Sequence, residues 1–180
     1  MESKSELMNR YLDKSFVDYI KSLSYLEYYE FLINNYKPYF KKIYDYLNEN
    51  NKIILDESQV EEDNKKELEF LINFNRFNLS LKAYDVLEPN YEQIIKDATA
   101  EVYKESENRE DFNQKQLEII KESNIKTILS YFTSIYRSTE ELDNIYLDKY
   151  DCTLYYYCLD RLDELVHKNI RRIEEKNKDN

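Results

Sequence analysis

A chain of 180 residues with 42% hydrophobic and 15% aromatic content is long enough for one domain with a real core and too apolar to be wholly disordered. Its 26 basic and 37 acidic residues leave a net charge of -11, which opposes binding to a phosphate backbone or an anionic membrane and favours basic partners. Glycine is absent, so P-loop, Rossmann and G-x-S-x-G chemistry is excluded, and an all-β fold with many positive-φ turns is disfavoured.

The start, MESKSELMNRYLDKS, lacks the apolar core of a signal peptide, and no apolar run approaches the roughly 18 residues that span a bilayer. A cytoplasmic protein is expected. SFVD at Ser15 is a capping pattern that opens a first helix through SFVDYIKSLSYLEYYEFLINN to Asn34 or Asn35. Pro38 suits the first turn of a second helix, PYFKKIYDYLNEN, which Asn48, Asn50 and Asn51 can end in place of glycine. A short apolar link, KIIL, follows.

Ser58 with Glu61 caps a long third helix that must stop near Glu88, because Pro89 restricts the residue before it. In it Phe70, Phe74, Phe77, Leu81 and Tyr84 form one apolar stripe and Leu68, Leu71, Ile72, Leu79 and Ala83 a second, the pattern of a central bundle helix. Asn90 with Gln93 caps a fourth helix, NYEQIIKDATAEVYKES. After the polar SENRED, the run NQKQLEIIKESNIKTILSYFTSIYR reads as helix broken near Ser123 and Asn124. Ser138 and Glu141 cap the last helical stretch, which bends at Asp151 and continues to about Glu175. The expectation is an all-α, single-domain bundle of about six helices over residues 1–176, with a frayed tail at 177–180.

Two features suggest a contact surface. The first helix has a core face in Phe16, Ile20, Leu23, Leu26 and Ile33, yet Tyr25, Tyr28, Tyr29, Leu32 and Tyr36 add another. Tyrosine suits a surface that is wet when alone and covered when bound, so Tyr25, Tyr28, Tyr29 and Tyr36 are candidate partner-binding residues. Acids concentrate from Glu140 to Glu164, where Glu140, Glu141, Asp143 and Asp148 are candidate steering charges for a basic protein.

The stretch YDCTLYYYCLDRLDELVH holds both cysteines and the only histidine. Cys152 and Cys158 match neither a CxxC nor a usual zinc spacing, and on one helix they lie about 9 Å apart, too far for a disulfide. Tyr155, Cys158, Leu159, Leu162, Leu165, Val166, Ile170 and Ile173 make one apolar stripe, which places Cys158 in a core seam. His167 lies off that seam, one turn beyond Asp163, where the two can pair. Glu164 and His167 spell the ExxH of di-iron carboxylate bundles, but those sites draw on further glutamates and usually a second ExxH, so no metal and no cofactor is expected. Cys158 and His167 are about 13 Å apart along a straight helix, beyond the reach of a nucleophile and its base.

Arg161 to His167, RLDELVH, resembles the R-x4-6-H signature of the HEPN ribonucleases. The resemblance covers seven residues, with Leu162 where a polar residue often follows the arginine. It implies a metal-independent ribonuclease in which Arg161 stabilises the scissile phosphate and His167 assists proton transfer, normally in a dimer.

With abundant Asn, Lys, Ile and Tyr pointing to an AT-rich genome, the leading reading is a small acidic protein-binding module. It would be an inhibitor or immunity/anti-defence type protein of a mobile element or its low-GC host. Its partner would be a basic protein such as a nuclease or nucleic-acid-binding protein, with no direct duplex DNA binding and no membrane. The HEPN-like ribonuclease and a structural subunit of a helical assembly are the alternatives, and a homodimer is left open.

Overall fold

The computed structural model describes residues 18–19, 22–55, 90–141 and 147–178, with side chains outside the description at 135–141, 147 and 168–178. Among the described residues the protein is all-α. Helix α1 spans Tyr25–Glu49, α2 Tyr91–Glu105, α3 Arg109–Ile120, α4 Ile125–Glu141 and α5 Lys149–Lys178. Two short strands, β1 (Ile54–Leu55) and β2 (Leu147–Asp148), pair antiparallel with Ile54 opposite Asp148 and Leu55 opposite Leu147. The long third helix expected from Ser58 to Glu88, with its phenylalanine stripe, lies outside the described residues, as does the Ser15 cap.

Helix α1 differs from the sequence reading in beginning after a break at Leu23 and in running on through Pro38. The chain bends at Leu23, and a new helix begins at Ser24. The Ser24 hydroxyl accepts the Glu27 N–H at 3.2 Å while the Glu27 carboxylate accepts the Ser24 N–H at 3.0 Å, a complete capping box in SYLE. Pro38 then falls inside the helix instead of starting a second one. Proline removes a backbone bond and crowds the carbonyl one turn back. The helix survives because Pro38 is on the solvent side, while Leu32, Tyr36, Phe40, Ile43 and Leu47 continue one buried face past it. Asn51 ends the helix at φ 52°, with Lys52 N–H donating to Leu47 O at 3.0 Å, so asparagine takes the left-handed position usually given to glycine.

Asparagine also sets the later boundaries. Asn108 accepts the Asp111 N–H at 2.8 Å, so α3 starts at Arg109 and takes in residues that read as polar loop. The break expected near Ser123 and Asn124 is present, and Asn124 restarts the chain as α4 by accepting the Thr127 N–H at 2.9 Å. Asn90 stands at the N-cap of α2 without a side-chain cap bond. Residues 138–141 finish α4 and do not open the last helix, which begins at Lys149 after the Asp148 carboxylate accepts the Asp151 N–H at 2.7 Å. Helix α5 runs to Lys178, so Asn177 and Lys178 of the expected tail are helical.

The core is built on α1 and α5. Lys37 meets Asp163 while Tyr44 meets Tyr156, so the two helices run antiparallel. Phe40 stacks on Tyr155 at 4.7 Å, and Phe132 of α4 lies parallel to the same tyrosine at 6.3 Å, giving three aromatic layers from three helices. All three rings are essentially buried. Helix α2 packs on α4, and each carries a buried hydroxyl residue: Thr99 and Ser130 donate to Ile95 O at 2.9 Å and Lys126 O at 2.8 Å of their own helices.

Replacing Pro38 by alanine restores a helical N–H at an exposed position. Pro38→Ala is expected to raise stability by about 1–2 kcal/mol, less than the full helical penalty of proline because the unfolded chain also gains freedom. A higher urea midpoint at unchanged slope checks it; an unchanged or lower midpoint would mean that the proline is accommodated without strain.

Candidate functional site

The chemistry-bearing residues of the sequence gather along α5. Cys152 and Cys158 are fully buried and reduced, both facing the core with Tyr155 and Leu159. Burial pushes both thiols well above their ordinary range, and the charges of Asp151 and Asp148 add to this at Cys152. Neither sulfur has the exposed, electropositive surroundings that activate a nucleophile.

Arg161 is a bracket between helices. Its Nε donates to Ser123 O at 2.9 Å, satisfying a carbonyl at the α3–α4 turn, and its Nη1 lies 3.1 Å from the Glu164 carboxylate. Only 18% of the side chain is exposed. His167 is 65% exposed and belongs to a different face. Six residues on a helix separate the two by about 9 Å along the axis and about 120° around it. Within one chain the R-x5-H pair therefore does not form a joint pocket.

The His167 Nδ1 atom lies 2.9 Å from Asp163 O, a contact in which an Nδ1–H donates to the carbonyl, and the Asp163 carboxylate stands beside it with Oδ1 at 2.5 Å. Asp163 in turn accepts from Lys37 of α1 at 2.8 Å, and Lys37 also reaches Asp160 at 2.9 Å. Burial works against the Lys37 charge, but hydrogen bonds to Asp160 and Asp163 outweigh it and hold the ammonium above its ordinary pKa. No group of three or more metal-ligating side chains occurs among the described residues.

The proposed contact tyrosines separate. Tyr28 and Tyr36 are core residues, because the buried face of α1 runs through them, and they are not surface contacts in this fold. Burial raises both hydroxyls well above their ordinary pKa. Tyr25 is 45% exposed, and Tyr29 is half-buried beside it with ring centroids 6.4 Å apart. Of the steering acids, Asp148 is exposed but caps α5; the side chains of Glu140, Glu141 and Asp143 lie outside the described residues. The acids of the 140–164 run that are described thus serve the fold at Asp148, Asp160 and Asp163.

A face that sequence reasoning passed over lies at the corner of α2 and α3. Asp97, Glu101 and Glu105 recur at four-residue spacing on exposed positions of α2, and exposed Glu107 and Glu110 follow at the start of α3. None of these five carboxylates is in an ion pair among the described residues. Like charges at that spacing disfavour the helix that carries them. Tyr103 stands nearby, 70% exposed, with its ring edge-on to Phe112 at 5.6 Å. The four-residue repeat of acids was readable; the exposure of Tyr103 was not, because its neighbours come from another helix.

The geometry yields separate expectations for thiols, arginine and histidine. Cys152 and Cys158 should react with a water-soluble disulfide reagent only on unfolding. Arg161→Ala should cost about 1–3 kcal/mol by orphaning the Ser123 carbonyl, while His167→Ala should stay within about 1 kcal/mol of the parent in urea denaturation. Comparison with protein-family models, with curated proteins and with solved structures finds no match to this chain.

Proposed function

We propose that this protein acts by binding a basic protein, as an inhibitor or immunity/anti-defence type module of a mobile element or its low-GC host. The observation that supports this reading is the α2–α3 corner: five exposed carboxylates without an ion pair among the described residues, arranged near an exposed tyrosine. Unneutralised acids speed and orient the approach of a basic surface, and an exposed aromatic contributes contact area once water is displaced. The residues that could have supported catalysis instead make structural contacts: Arg161 brackets Ser123, and both thiols are in the core. No described helix is long and apolar enough to cross a membrane. A cytoplasmic location accords with the reading and remains part of the proposal.

The test is affinity capture from the protein's own cells, washed at about 50 mM and then about 500 mM salt, with protein and RNA both identified. The expected result is a stoichiometric basic protein that leaves at high salt. Its retention by the Glu101→Lys, Glu105→Lys double variant should fall at least tenfold. RNA cleaved by the parent and spared by His167→Ala, with no protein partner, would contradict the proposal in favour of the ribonuclease reading.

A further inference from the structure

We draw no further inference here: the strongest candidate, the surface patch of half-buried rings that Tyr44 of α1 forms with Tyr156 and Tyr157 of α5 beside Lys121, carries nothing because nothing in the structure shows what covers it.

Discussion

The stacking of Phe40 on Tyr155 is the contact around which the rest of the described structure is arranged. It joins the two longest described helices, near the middle of α1 and in the second turn of α5, and draws in α4 through Phe132. Each buried ring removes a large apolar area from water, and well-placed aromatic pairs add about 0.5–1.5 kcal/mol beyond that burial. Truncating such a ring typically costs about 3–5 kcal/mol, a large part of a domain's net stability. One turn from the stack, Lys37 is clamped between Asp160 and Asp163. That bridge adds orientation more than energy: its exposed half is screened, and its half-buried half would be costly to leave unpaired. Together ring stack and ion bridge select an antiparallel pairing and its register.

A chain without glycine has to solve its turns and close approaches with other residues. Asparagine does the first. Asn51 adopts the left-handed position after α1, Asn108 caps α3 and Asn124 caps α4. Small hydroxyl residues suit the second, since Thr99 of α2 and Ser130 of α4 are buried while bonding their own backbones. The abundance of asparagine is therefore more than an echo of codon usage. It is what makes a glycine-free helical bundle possible.

Much of this was legible in the sequence, and the failures have identifiable causes. The all-α class followed from periodicity, and of the α5 stripe Tyr155, Cys158, Leu159, Leu162 and Val166 are buried and Leu165 half-buried, while the side chains of Ile170 and Ile173 lie outside the described residues. The pairing of His167 with Asp163 followed from their one-turn spacing. The break at Leu23 was missed because the capping pattern of Ser24 with Glu27, which caps the helix Tyr25–Glu49, sits inside a stretch whose apolar residues read as one continuous helix. Pro38 read as a boundary because local preference for proline was weighed without the long buried face that carries the helix past it. Tyr28 and Tyr36 read as surface because a helix with two apolar faces gives no sign of which neighbours will cover it. The role of Arg161 was invisible for the same reason: its acceptor, Ser123 O, is a backbone atom 38 residues away.

The structure thus divides the sequence's conspicuous residues between two tasks. Those on α5 hold helices together, and it is the exposed acids of α2 and α3 on which the proposed partner binding rests. The division depends on α1 and α5 behaving as one cooperative unit. Native-state hydrogen exchange across a urea series measures this directly. The account predicts that amides from Tyr36 to Leu47 and from Cys152 to Val166 share the slowest rates and lose protection together, at the global unfolding free energy. Loss of protection in one of these helices at distinctly lower urea than in the other would contradict it.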